Sequence, residues 1–186
     1  RKESSAASDV YKRQTEGTVT ITSKDDAILY ARVIQEGIPL EGDQTDASNN
    51  LRLDLVYRDM DGNKIDPTNI KQGTDFYVEV AIYNPTGRTY KEMALTQIFP
   101  SGWEIHNARL FNYSFDKASD KPTYQDIRDD RVNTFFDIAP NKEKIFRILL
   151  NATYEGKFYL PTIYSEAMYD KKINARRHGM WVEIVK

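Results

Sequence analysis

Apolar side chains fall on every second residue in one short run after another, and each run soon ends at glycine, proline or asparagine. Leu51, Leu53, Leu55 and Tyr57 alternate with Arg52, Asp54 and Arg58. Phe76, Val78, Val80 and Ile82 share one face of the next run, opposite Glu79, and Val132, Thr134, Phe136 and Ile138 repeat the pattern. Successive side chains of a strand point to opposite faces, so this spacing predicts strands with one buried and one solvated side. Met93, Leu95 and Phe99 open another strand, and residues 158–164 and 180–185 add two more. Residues 145–152 are dense enough in apolar side chains for a central strand covered on both faces. Between the runs stand Asp61-Gly62, Pro85-Thr86-Gly87, Pro100-Ser101-Gly102 and Pro140-Asn141, all turn formers. No convincing amphipathic helix interrupts them. The pattern predicts an all-β chain folded as an antiparallel β-sandwich. Pro161 has no N–H to give a ladder, which places it at an edge or a bulge of the run around it.

Upstream the signal is weaker. Residues 17–23 read as a strand and turn. Residues 26–35 suit a helix by composition, but Gly37 and Pro39 follow at once, and a strand is the better reading. Residues 41–50 are small, polar and acidic, and read as a linker. Residues 112–122 read as a long polar loop.

Composition removes several function classes. The 186 residues contain no cysteine, which excludes disulfides, thiolate metal sites and a cysteine nucleophile. A net charge of −2 argues against nucleic acid as a partner, because phosphate neutralisation needs clustered excess cations. No run approaches the roughly 18 apolar residues of a membrane helix, so no direct insertion into a membrane is expected.

Residues 1–14 stand apart. The stretch from Ser4 to Gln14 resembles the translation of a sequencing-library adapter found in genes predicted from environmental DNA, and it is expected to take no part in the fold. A true N-terminus further upstream follows from that reading.

Catalytic signals are sparse. His106 and His178 have no carboxylate at a metal-motif spacing and read as surface or loop histidines. Asp126, Asp129 and Asp130 interleave with Arg128 and Arg131. A glycosidase would need one of these carboxyls protonated, and neighbouring guanidinium groups oppose that. An ion-pair network at the entry to a strand is the favoured reading. A calcium loop has weaker support still, lacking a glycine and a bidentate glutamate at the expected places. No cofactor or metal is expected. Asn112 and Asn151 match glycosylation acceptors, a short pattern of low specificity. Trp103, following Pro-Ser-Gly at a strand start, reads as a plug at one end of the sandwich.

Three segments together resemble the last, macroglobulin-like domain (MG10) of bacterial α2-macroglobulins. They are Phe99-Pro-Ser-Gly-Trp-Glu-Ile105, then Asp126-Ile-Arg-Asp-Asp-Arg-Val132 leading into Phe135-Phe136, then Gly156-Lys-Phe-Tyr-Leu-Pro161 running through Tyr164-Ser-Glu-Ala-Met-Tyr-Asp170. The resemblance extends over 52–186. It implies a macroglobulin or fibronectin type III-like sandwich over 43–186, with 15–42 as returning strands of a preceding CUB-like β-domain. It further implies a non-catalytic piece of a broad-spectrum protease trap in the periplasm or cell envelope. Its partners would be the thioester domain and other macroglobulin domains of the same parent chain, and target proteases through that parent.

In that family a thioester on a neighbouring domain is kept from water until the trap is sprung, and the resemblance assigns the shielding contact to Glu166, Met168 and Tyr169. A cover for a hydrolysable bond has to be apolar and adaptable; methionine is both, and tyrosine adds area and one hydrogen bond. The alternative is that Met168 and Tyr169 pack inside their own strand end. For Asp129 and Arg131, internal pairing is favoured over an interface role. Two other functions remain open: a carbohydrate-binding or adhesion sandwich using exposed aromatics, and a small hydrolase using Asp129 or Asp130.

Overall fold

The computed structural model describes Tyr30, Arg32, residues 45–106 and residues 119–186. The adapter-like segment, the strand read at 17–23, the strand read at 26–35 apart from Tyr30 and Arg32, residues 41–44 and Asn112 lie outside the described residues. The elements below belong to the compact unit Ile38–Lys186.

The described residues form strands and no helix. In chain order they are β1 (Ala47–Asn49), β2 (Arg52–Asp59), β3 (Asn69–Lys71), β4 (Asp75–Tyr83), β5 (Tyr90–Ile98), β6 (Trp103–His106), β7 (Tyr124–Ile127), β8 (Arg131–Ile138), β9 (Glu143–Ala152), β10 (Gly156–Leu160), β11 (Ile163–Ala167), β12 (Asp170–Arg177) and β13 (Met180–Val185). One sheet has the order β1-β12-β11-β5-β8-β7, a second β2-β4-β9-β6, and a small third β10-β13-β3. Every pairing is antiparallel except β13 with β3, which is parallel.

The alternation read in the sequence sets what each sheet turns inward. Leu53 and Tyr57 on β2, with Phe76, Val78, Val80 and Ile82 on β4, line one side of the core. Met93 and Leu95 on β5, with Val132, Phe136 and Ile138 on β8, line the other. Phe136 and Phe146 meet across the two layers with ring centroids 4.9 Å apart. Full burial of such a ring contributes about 1.5–3 kcal/mol. Trp103 lies buried against Phe76 at 5.0 Å and Tyr57 at 5.8 Å, as an end plug should. Gly102 before it has to be glycine, since a Cβ there would fall 2.4 Å from the Phe158 ring.

β9 runs between β4 and β6 and is buried on both faces at Leu149 and Leu150, the central strand its composition predicts. On the outer side of this sheet Glu79 accepts from Arg147 at 2.6 Å and faces Arg58 at 3.5 Å.

Three expectations need revision. The run at 158–164 is two strands in different sheets, with Pro161 and Thr162 at the corner where the chain crosses between them. A residue without an N–H ends one ladder, and burial of both Leu160 and Ile163 fixes the turn. The segment read as a linker supplies β1, an edge strand paired to β12 through Ala47–Arg176 and Asn49–Asn174. β12 itself is invisible to alternation, because only Ala175 of DKKINARR is buried.

Candidate functional site

The β11–β12 hairpin carries the residues singled out for an interdomain contact. Ala167 pairs with Asp170 across the turn and with Met93 of β5 on its other side. Its methyl faces the core, so the hairpin tip is rooted there. Met168 and Tyr169, the two residues between, stand outside, 49% and 85% exposed. Neither packs into its own strand end.

The backbone of this turn is pinned from two sides. On β5, Tyr90 pairs with Ile138 and Met93 with Phe136, so Lys91 and Glu92 together oppose Asp137 alone, a β-bulge. Glu92 takes φ 52°, a left-handed conformation that costs a side-chain-bearing residue about 1–2 kcal/mol. Its N–H donates to Asp137 Oδ1 at 2.9 Å, and its carbonyl accepts the Met168 N–H at 3.0 Å. On the far side residues 171–173 loop out between the Ala167–Asp170 and Glu166–Asn174 pairs. Asn50 Nδ2 donates to the Lys172 carbonyl at 3.0 Å, and the Lys172 N–H to Asp170 Oδ1 at 3.0 Å. Fixed backbone under exposed side chains is an arrangement suited to contact.

Glu166 is placed differently from its two companions. It sits on the outer face of the six-stranded sheet, in register with Ala94 and Asn174, and accepts the Tyr164 hydroxyl at 3.0 Å. Burial first, and that hydrogen bond second, hold the Tyr164 hydroxyl above the ordinary phenol range.

Beside the tip lies a cleft of about 360 Å³. Tyr90, Tyr169, Arg88, Lys91, Lys172 and Asp170 are among the residues lining it. The Tyr90 hydroxyl donates to the Asn50 carbonyl at 2.9 Å, fixing one wall. Sequence reasoning passed over Arg88 and Lys91, since nothing local links a loop after Pro85 to a turn at 168.

Asp129 stands exposed in the β7–β8 turn with no ion pair among the described residues, while the other described candidates are satisfied within the chain. Arg128 holds Asp126 at 2.9 Å, and Arg131 grips both oxygens of Asp130 at 2.9 and 2.6 Å. The Arg131 guanidinium holds the Asp130 carboxyl below its usual value, opposite to what a general acid needs. Asp46 accepts the His178 N–H at 2.9 Å, contacts His178 Nδ1 at 2.7 Å and pairs with Arg177 at 2.7 Å. Arg177 also reaches Asp54 at 2.7 Å. The His178 N–H, ahead of the His178 side chain and Arg177, holds the Asp46 carboxyl well below the carboxylate range. This clamp ties β1 to the end of β12. His106 Nε2 lies 4.0 Å from Asp75. Asn151 Nδ2 donates to Asp75 at 2.7 Å, so this sequon's amide is engaged. Among the described residues no group of three or more His, Asp or Glu converges as for a metal, and no helix is long and apolar enough to cross a membrane. Of the aromatics a glycan platform would need in solvent, Tyr124, Tyr154, Tyr169 and Trp181 are there.

Comparisons with known proteins agree on one family. The family model described as the bacterial alpha-2-macroglobulin MG10 domain matches residues 52–171. Alpha-2-macroglobulin of Pasteurella multocida is 30% identical over 141 residues, covering 76% of this chain and 7% of that protein. That of Rickettsia conorii is 29% identical over 122 residues, covering 63% of this chain and 6% of that one. The chain thus spans under a tenth of the length of these relatives. Among solved structures, Salmonella alpha-2-macroglobulin reacted with methylamine superposes with a TM-score of 0.68 at 19% identity, over 81% of this chain and 10% of that one. A native Escherichia coli alpha-2-macroglobulin fragment running from domain MG7 to the C-terminus gives 0.68 at 16% identity, over 78% of this chain and 25% of that one. These two likenesses show the shared fold.

Proposed function

Because this chain belongs to the bacterial alpha-2-macroglobulin family, a family of protease inhibitors, and carries its MG10 domain, we propose that it serves as the non-catalytic C-terminal module of a larger protease trap. In that reading residues 43–186 are the module and 15–42 are strands returning from the domain before it. The module seats its β11–β12 tip on the neighbouring thioester domain, and Met168 and Tyr169 exclude water from the reactive bond. Glu166, on the adjacent sheet face, flanks the contact. The parent works in the periplasm or cell envelope and meets its target proteases through other domains.

One observation carries the reading. Two large apolar side chains are held in solvent on a backbone fixed by Glu92, Asp137 and Asn50. A thioester in water hydrolyses, so its cover has to be apolar and has to lift off intact when the trap closes. Methionine fills an irregular surface without a fixed shape, and tyrosine contributes area with one polar end. With no cysteine in the chain, the bond itself resides elsewhere in the parent.

The test is Met168→Ala, alone and with Tyr169→Ala, in a full-length parent that carries the thioester. The fold should hold, since both side chains stand largely in solvent. The thioester should react with methylamine roughly tenfold faster, the equivalent of about 1.4 kcal/mol of lost cover. An unchanged thioester lifetime in the double variant removes the tip from this role. The 186-residue chain by itself should inhibit no protease.

A further inference from the structure

We propose that the cleft between the Met168–Tyr169 turn and the loop before β5 docks an acidic polypeptide segment, whose carboxylates bind Arg88, Lys91 and Lys172. The proposal rests on the reading that this tip meets a neighbouring domain, and it adds the chemistry of the surface met there.

Charge is the first ground. The cleft is lined by three cations and one carboxylate, in a chain whose acids outnumber its bases 28 to 26. Seven cations elsewhere, Arg52, Arg58, Arg128, Arg131, Arg147, Arg177 and Lys186, each face an Asp or Glu. Arg88, Lys91 and Lys172 form no ion pair among the described residues. Asp170 already accepts the Lys172 backbone N–H through Oδ1. Like charges gathered at one cleft repel, and an incoming carboxylate converts that repulsion into attraction.

Construction is the second ground. Lys91 lies in the bulge, next to Glu92 in its strained conformation, and a bulge re-aims the side chains it carries. Strain of this kind persists where the surroundings impose it, and it clusters at ligand clamps. Here the Asp137 carboxylate and the Met168 N–H impose it. A volume of about 360 Å³ accommodates a few side chains and not a folded element. Tyr90, tied to Asn50, makes a rigid aromatic wall, and Tyr169 is free to close over an occupant. Arg88 supplies a planar fork for one carboxylate and the two lysines supply point charges.

The test uses the full-length parent, with amide hydrogen exchange read at residues 86–91 and 168–173. Lys91→Glu with Lys172→Glu should speed exchange there roughly tenfold, toward the rate in the 186-residue chain alone. Wild-type protection should fall as sodium chloride screens the contact, and Lys91→Arg with Lys172→Arg should retain it. An unchanged urea midpoint shows the Glu variant folded. Protection equal to wild type in that folded variant overturns the proposal. Hexaglutamate should bind the 186-residue chain and lose binding in the Glu variant. Equally tight binding of inorganic phosphate, or binding to phosphatidylglycerol vesicles that needs the same lysines, also overturns it. Thioester lifetime unaffected by Met168→Ala, together with protection lost in the Glu variant, would sink the shielding role and leave the docking cleft standing.

Discussion

At the β7–β8 tip Arg128 holds Asp126 and Arg131 grips both oxygens of Asp130, whereas at the β11–β12 tip of the same sheet Met168 and Tyr169 stand in solvent beside cations that hold no carboxylate. Both tips are hairpin turns with rooted bases: Val132 is buried under the first and Ala167 under the second. The difference lies in where their exposed groups find partners. Arginine and aspartate one or two residues apart match each other locally, so at the first tip only the solvated Asp129 carboxylate is left over. The second leaves apolar area and positive charge unmatched, and another surface has to offset both. Exposed charge alone therefore does not mark a contact site in this molecule; unmatched charge beside unmatched apolar area does.

The strongest way to break that contrast is to uproot the second tip. Ala167→Asp buries a carboxylate in the core and should cost roughly 3 kcal/mol, read as a lower urea midpoint. Asp130→Asn at the first tip should leave the midpoint unchanged, because exposed ion pairs contribute little. Equal effects at the two sites would mean that the tips are not rooted as described.

A smaller effect is expected from Asp137→Ala, which removes the acceptor that fixes Glu92. The loss should be about 0.5–1 kcal/mol, accompanied by faster amide exchange at Met168 but not at Arg128. Glu92→Gly suits the left-handed conformation, so combined with Asp137→Ala it should recover part of the loss. Failure to recover would show that the bulge is not the strained element.

The smallest effect is with pH. Asp130 and Asp46 both have folded pKa values held below the ordinary carboxylate value of about 3.9. A depressed carboxyl contributes stability that is complete above that value and is lost as pH falls through the folded one. Exchange at residues 128–131 and 46–49, corrected for intrinsic rates, should stay level from pH 7 to 5 and rise below about pH 4. Loosening that begins near pH 6 would contradict the assignment to these carboxyls.

Much of the fold could be read ahead of the structure. The alternation in β2, β4 and β8 turned the named residues inward, and the density of β9 matched its place between two neighbours. Trp103 plugs the end of the core, and Asp126 and Asp130 pair with Arg128 and Arg131 as their spacing suggests, while Asp129 stays exposed without an ion pair. What escaped was every element whose reason for existing lies far away in sequence. β1 and β12 are polar and hold each other through Asn49, Asn174, Asp46 and Arg177. The break at Pro161 could be read, but not that the chain there leaves one sheet for another.

The candidate site divides in the same way. Met168 and Tyr169 could be named from the chain, because their motif is contiguous. Their exposure, the bulge at Glu92 and the cleft with Arg88 and Lys91 could not, because they join residues some eighty positions apart. Periodicity is a property of neighbours along the backbone, so the sequence by itself determined an all-β core and its inward faces. Which polar strands close the sheet edges, and which cations are left without partners, depends on register between distant strands. Only the folded packing of those strands decided that.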